Sequence, residues 1–400
     1  MLKRTFRAFE YREFRLLWFG ACTSSIGTWM QKLAQSWLVL QLSNRPFLLG
    51  LDTFLGEIPI FLFSLLGGVI ADRFDRRKLL VGSQIVQMSC AFLLAALLAA
   101  GMREVWPILT LSFVVGLAQA FGGPAYQALI PTLVAPKDLP NAIALNSIQF
   151  NLARVIGPVL GGIALARLGA SWCFSLNGVS FIAVIIALLL LPGRRFPPAS
   201  LTMLDSMKEG IGFIRSRPGL EPLILLAFFM TMLGVPLIVY LPVMARDVFH
   251  GGPNAYTILL SISGAGAVFG ALAVAGSGHV ERRGLMALQL LITLGVLIAC
   301  FGLSRSLPLS CVLLFLGGAA LVASFATVTS VVQLIAPDEM RGRVMSVYNV
   351  AFRGGMPIGS FLAGPFVETL SAPPVLAANG VLLVVLGLFF LFMHRRIAQL

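Results

Sequence analysis

Residues 16–42, LLWFGACTSSIGTWMQKLAQSWLVLQL, decide the fold class. The run is long enough to cross a bilayer, whose hydrocarbon core takes about 20 apolar residues of helix. Yet it carries Lys32 near its middle. Thr28, Gln31, Lys32 and Gln35 recur at i, i+3, i+4 and i+7, so a helix gathers them on one face. A charge at the centre of a lipid-embedded helix costs about 2.5–3.5 kcal/mol on insertion scales. Such a stripe has to face protein, water or a bound partner rather than acyl chains. It implies a cavity within the membrane, and a cavity implies cargo.

The remaining sequence extends this reading. The chain has 400 residues, 58% hydrophobic and 11% charged, with mean hydropathy +0.93. Soluble domains average about 25% charged residues, so this is a polytopic membrane protein. Apolar runs fall at 14–42, 46–71, 78–101, 105–131, 141–168, 171–191, 219–245, 254–279, 284–303, 308–335, 343–369 and 374–394. The expected fold is all-α and integral to the membrane. Twelve transmembrane helices would form two six-helix, pseudo-symmetric bundles around a central cavity. The expected divisions are an N-terminal bundle at 1–191, a cytoplasmic linker with a surface helix at 192–218, and a C-terminal bundle at 219–400.

Weak internal repetition supports the two bundles. Gly116 and Pro136 precede Gly317 and Pro337 by 201 residues, and LVAPKDL at 133–139 answers LIAPDEM at 334–340. Arg154 and Arg353 are 199 apart. Ordered similarity between halves is the pattern of parallel repeats.

The net charge of +13 reports topology rather than nucleic-acid binding. With the N-terminus inside, the inner segments hold 21 of the 29 Lys and Arg residues; Lys32, Arg154 and Arg353 lie within spans. The positive-inside rule then places both termini in the cytoplasm of a bacterial-type plasma (inner) membrane. The basic N-terminal stretch reads as the start of an uncleaved first span, because the apolar run is too long for a signal peptide. Five cysteines and three histidines are scattered, with no spacing for a disulfide framework or a metal site.

The segment GGVIADRFDRRKLL at 67–80 joins the second and third runs. It resembles the loop signature of the major facilitator superfamily, matching at Gly68, Asp72, Arg73, Arg76 and Arg77. Asp75 stands where that pattern has glycine. The resemblance implies a conformational gate, with Asp72 capping a neighbouring helix or pairing with an arginine. DRFD is also compatible with an acidic Mg²⁺ motif, but four flanking cations and no second acidic cluster argue against an enzyme. Gly157, Pro158, Gly161 and Gly162 in the fifth run resemble the antiporter signature of drug exporters, with Gly264, Gly266 and Gly270 as candidate facing residues. Residues 24–42, the stretch leading to DRFDRR, and RGRVMSVYNVAFRGGMPIGSFLAG at 341–364 look like the branch containing enterobactin exporters and macrolide-efflux proteins, the transmembrane secretion effector type. That likeness implies alternating access and proton-driven export, with a proton gradient in place of any cofactor.

Several residues are candidates for that work. Glu57, at mid-depth in the second run, is the leading proton carrier. Lys32 is its expected ion-pair partner, and Asp52 lies nearer the outer surface. Cavity candidates are Gln31, Gln35, Gln119, Tyr126, Gln127, Asn146, Gln149, Arg154, Tyr240, Asn349 and Arg353. The two arginines suit an anionic cargo or, equally, brace backbone carbonyls near Pro158 and Pro357. The expected partners are membrane lipids and a small-molecule or lipid substrate, with no nucleic acid, and the chain is expected to be a monomer. The leading function is proton-coupled export of a small amphipathic molecule, siderophore-like or drug-like. The alternatives are a lysophospholipid transporter of the same fold and a non-transporting membrane sensor or assembly factor.

Overall fold

The computed structural model describes residues 6–192, 203–217, 219–276 and 283–393. Six long helices come first: α1 Arg12–Ser43, α2 Phe47–Arg73, α3 Arg76–Ala99, α4 Trp106–Leu129, α5 Leu139–Leu168 and α6 Ala170–Leu189. A shorter linker helix, Met203–Ser216, separates them from α7 Leu220–Val248, α8 Gly252–Gly276, α9 Arg283–Leu303, α10 Leu307–Ile335, α11 Asp338–Leu370 and α12 Ala372–Met393. α7 is regular only to Gly234; short turns Pro236–Val239 and Leu241–Val243, the second containing Pro242, and a π-helical turn carry it to Val248. Proline removes a backbone donor and clashes with the preceding turn, which accounts for the breaks.

Ten of these helices are long and apolar enough to cross a membrane. The other two are α1 and α11, of 32 and 33 residues. Polarity sets them apart rather than length: uncharged polar residues and charges together lower their hydropathy. α1 carries Arg12, Glu13, Arg15 and Lys32; α11 carries Asp338, Glu339, Arg341, Arg343, Arg353 and Glu368.

The chain divides into two compact units, Met1–Asn44 with Leu55–Ser200, and Arg45–Phe54 with Leu201–Leu400. In the first unit α1 packs on α5 and α6, and α3 packs on α4 and α6. Glycine sets how closely these helices approach. A Cβ on Gly157 would meet Trp29 and the Ile26 carbonyl, and one on Gly161 would meet Met30. Gly116 lies against the Gly56 carbonyl, and Gly67 against that of Ala120. Small residues at helix crossings let backbones touch where no hydrophobic effect drives association.

The second unit repeats the device. Gly355 meets Thr231 and the Phe228 carbonyl, and Gly359 meets Met232. Gly266 and Gly270 press on the Phe315 and Ala319 carbonyls of α10, and Gly318 presses on that of Ser263. The first turns of α2 belong to this unit: Arg45 pairs with Glu368 at 2.9 Å, and Phe47 packs on Phe361 at 5.6 Å between centroids.

These contacts fix the repeat register. Gly157 on Ile26, Trp29 and Met30 is matched by Gly355 on Phe228, Thr231 and Met232. The position equivalent to Arg154 is therefore Phe352, not Arg353 as the sequence spacing suggests. Gly116 likewise corresponds in packing to Gly318 rather than Gly317, beside which a Cβ would meet nothing within 4 Å.

The N-terminal turn Arg7–Glu10 is tied to the start of α5. Asp138, 4% exposed, accepts from Tyr11 Oη at 2.7 Å and pairs with Arg7 Nε at 3.3 Å. Asn141 Oδ1 accepts from the Ala8 amide at 2.8 Å. In the second unit the linker helix docks on α11 through Glu209 and Arg343, 2.5 Å apart. Residues 193–202 of the expected linker lie outside the described residues.

Candidate substrate and coupling site

The polar stripe of α1 sits in a hydrogen-bonded chain across three helices of the first unit. Asn177 Nδ2 on α6 donates to Gln31 Oε1 at 2.6 Å. Gln31 Nε2 approaches Gln35 Oε1 at a long 3.5 Å, and Gln35 Nε2 donates to Ser112 Oγ on α4 at 2.9 Å. Thr28 leaves the stripe chemically, because its hydroxyl donates to the Ser24 carbonyl of its own helix at 2.9 Å. An amide in a low-dielectric interior is costly unless satisfied, and each amide here has a partner in a neighbouring amide or the Ser112 hydroxyl.

Lys32 does not form the expected ion pair with Glu57. Its Nζ lies over the Trp29 ring, 5.3 Å from the centroid. Arg154 Cζ lies 5.8 Å from the same centroid. Phe150 meets the indole edge-on at 6.1 Å. Among the described residues, neither cation has a carboxylate at ion-pair distance. Glu57 and Asp52 are half-buried on α2 and engaged in other polar interactions. By contacts, Asp52 belongs to the second unit and Glu57 to the first.

The remaining cavity candidates separate into groups. Gln119 Nε2 donates to Gln87 Oε1 at 3.0 Å, and Gln87 Nε2 reaches Ser83 Oγ at 3.1 Å, forming a second polar cluster between α3 and α4. Tyr126 Oη donates to Asn146 Oδ1 at 2.7 Å, linking α4 to α5. Gln149 is buried and donates to the Ala21 carbonyl at 3.2 Å, so it braces α5 on α1. Gln127 is exposed and outside these clusters. In the second unit Tyr240 is completely buried, its hydroxyl donating to the Ser360 carbonyl at 2.6 Å. Asn349 and Arg353 are exposed on α11. Nearby, Tyr348 shares a hydrogen bond with Thr329 at 2.9 Å and lies beside Phe325 and Phe352.

In the loop joining α2 to α3, Asp75 caps the helix that follows: its carboxylate accepts from the Arg77 amide at 2.9 Å and the Lys78 amide at 3.4 Å. A carboxylate at an N-cap satisfies orphan amides and meets the positive end of the helix dipole. Asp72 lies in the last turn of α2, and its side chain is outside the described residues. Arg76 donates to the carbonyls of Ala71 at 3.3 Å and Ala128 at 3.0 Å. Arg77 donates to those of Leu189 at 2.7 Å and Leu191. Arg73 is exposed, and a Cβ on Gly68 would meet nothing within 4 Å. Beside the loop a cleft of about 450 Å³ opens between α3 and α4, lined by residues including Lys78, Gly82, Val86 and Phe121.

The antiporter-like glycines Gly157 and Gly161 face α1, and Gly266 and Gly270 face α10. Pro158 and Gly162 are buried in α5.

Trp29, Ser112 and Asn177 were not among the sequence candidates. Asn177 had a signal, as the lone amide of an otherwise apolar helix; Trp29 and Ser112 carry none of their own.

The Transmembrane secretion effector family model matches residues 3–399. The chain belongs to the transmembrane secretion effector family. This secretion-effector chain is 22% identical over 386 residues to macrolide efflux protein A of Streptococcus pyogenes, covering 94% of each chain. It is 28% identical to the enterobactin exporter EntS of Shigella boydii serotype 4, covering 94% of this chain and 91% of the relative. Among solved structures, a POT family transporter in complex with a thioalcohol-conjugated peptide superposes with a TM-score of 0.76 at 13% identity, over 96% of both chains. The fold is that of major facilitator transporters. The secretion-effector chain is a multi-pass membrane transporter, not an enzyme.

Proposed function

We propose that this chain is a proton-coupled secondary exporter of a small amphipathic molecule, working by alternating access with both termini in the cytoplasm. All twelve long helices then cross the membrane, α1 and α11 among them, with their polar faces turned away from lipid. The observation that carries the reading is the amide chain Asn177–Gln31–Gln35–Ser112, set beside Lys32 and Arg154 in a bundle of apolar helices. Polar groups at that depth are costly in lipid and mark a pathway for cargo or ions. The efflux activities named for the relatives support outward transport. Glu57 is the coupling candidate, as the acid of the first unit in the middle of an apolar helix. Protonation removes its charge as the gradient is spent, and a membrane potential supplies about 2.3 kcal/mol per charge per 100 mV. The driving force is a proton gradient, with no cofactor.

Everted vesicles containing the protein test this. Accumulation of a panel of macrolides, dyes and siderophores should require the pH gradient and collapse when it is dissipated. Glu57→Gln should abolish the gradient dependence. Gradient-dependent accumulation at the wild-type level in Glu57→Gln would remove Glu57 from coupling. Accumulation indifferent to the gradient would remove proton coupling itself.

A further inference from the structure

We infer that Trp29, Lys32 and Arg154 form an anion subsite in the first bundle, for cargo that carries a negative charge next to a flat aromatic group. The inference rests on the exporter reading above and names the substrate class. Two cations share one indole, at 5.3 and 5.8 Å from its centroid, and neither is neutralised by a carboxylate among the described residues. An aromatic face attracts a cation but does not cancel its charge. Two like charges at one ring repel each other, so the cluster lacks one component, a negative group.

The repeat supplies a control within the same molecule. The glycine seam that seats α5 on Ile26, Trp29 and Met30 recurs between α11 and Phe228, Thr231 and Met232. In that register Thr231 replaces Trp29, Gly234 replaces Lys32 and Phe352 replaces Arg154. Thr231 Oγ1 donates to the Phe352 carbonyl at 2.9 Å, confirming that these positions are neighbours. The second unit makes the same helix contact with neutral side chains. Packing therefore does not require the cations of the first.

Their chemistry matches a charged ring. Arg154 offers a planar fork of donors that grips a carboxylate, sulfonate or phosphate with two hydrogen bonds, and Lys32 adds a compact point charge. Trp29 provides a stacking face, and Phe150, 52% exposed, extends the aromatic wall. The neighbouring amides of Gln31 and Gln35 are already engaged with Asn177 and Ser112, which leaves charge as the selecting feature.

The test uses three probes of one ring system: 2-naphthoate, 2-naphthylmethanol and 2-naphthylmethylammonium. Their dissociation constants are measured with the purified full-length protein by equilibrium dialysis. The wild type should bind naphthoate at least tenfold more tightly than the ammonium probe. Lys32→Gln and Arg154→Gln should each weaken naphthoate about tenfold and leave the alcohol within twofold. Lys32→Arg should keep the preference, which separates loss of charge from loss of fold. Trp29→Leu should weaken all three. Equal or tighter binding of the ammonium probe, or naphthoate binding unmoved by both glutamine variants, overturns the subsite. The vesicle assay reports separately: gradient-driven export of a cation with no anion preference here sinks this inference and leaves the exporter reading standing. Charge-dependent naphthoate binding without gradient-driven transport does the reverse.

Discussion

Adjacent glycines in α10 should respond to the same substitution with opposite signs. A Cβ on Gly318 would run into the Ser263 carbonyl, with the Ala267 amide 3.3 Å away. Both obstacles are backbone, so no rotamer change relieves the clash, and α8 and α10 must separate. Overpacking of this kind costs about 1–3 kcal/mol. Alanine recovers about 1 kcal/mol over glycine in helix propensity, and two backbone obstacles put the clash toward the upper end of that range, so Gly318→Ala should destabilise by up to about 2 kcal/mol. Gly317, one residue earlier, is also buried, but its Cβ would meet nothing within 4 Å. Gly317→Ala should therefore keep only the propensity gain, up to about 1 kcal/mol of stabilisation. The two variants can be compared by thermal unfolding in one detergent, read with a thiol-reactive dye, because Cys22, Cys90 and Cys173 are buried and become reactive on unfolding. The reasoning fails if both variants shift the midpoint in the same direction, or if Gly317→Ala is the more damaging.

Asp75→Ala should cost about 1 kcal/mol through loss of the α3 cap, and Asp75→Asn markedly less, in the same unfolding assay. The hydrogen bond to Asp138, with burial adding to it, raises the Tyr11 hydroxyl above its ordinary pKa of 10.0. A folded value above the unfolded one means this contact contributes fully below pH 10 and is lost as the pH rises through the folded value. The difference between wild-type and Tyr11→Phe tyrosinate absorbance titrations should show Tyr11 ionising above pH 10, and ionisation at or below that value would exclude the bond to Asp138.

The helices were legible in the sequence because lipid imposes length and hydropathy on each one, and the breaks carry Pro and Gly. The polar face of α1 was legible for the same reason, since a lysine and two glutamines at helical spacing have few places to go. Partners were not legible. Lys32 was matched with Glu57 by depth alone, and depth says nothing about which way a long flexible side chain turns; Trp29, three residues before it on its own helix, takes the ammonium instead. The arginine equivalence failed for a related reason. A spacing of identical residues fixes the repeat only to within a residue, and the close contacts of Gly157 and Gly355 move Arg353 off the position of Arg154. Asp75 appeared only as a departure from the loop pattern, yet it caps α3. Capping depends on being the last residue before the helix, a boundary that periodicity locates poorly.

The gate loop also bears on how such a transporter would move. Helix C-termini leave carbonyls without partners and carry the negative end of the dipole. Arg76 and Arg77 fill those sites on α2, at the end of α4 and just past α6, while Asp75 fills the amides at the start of α3. A single loop thus closes open polar ends of four helices in the first unit. Together with the glycine seams this makes the unit resist bending, because any internal shift would break charge-assisted bonds or part backbones already in contact. Rocking of whole bundles, as proposed for this chain, requires stiffness of that kind: a bundle that yielded internally would dissipate the difference between its two orientations instead of transmitting it to the site at Lys32 and Arg154.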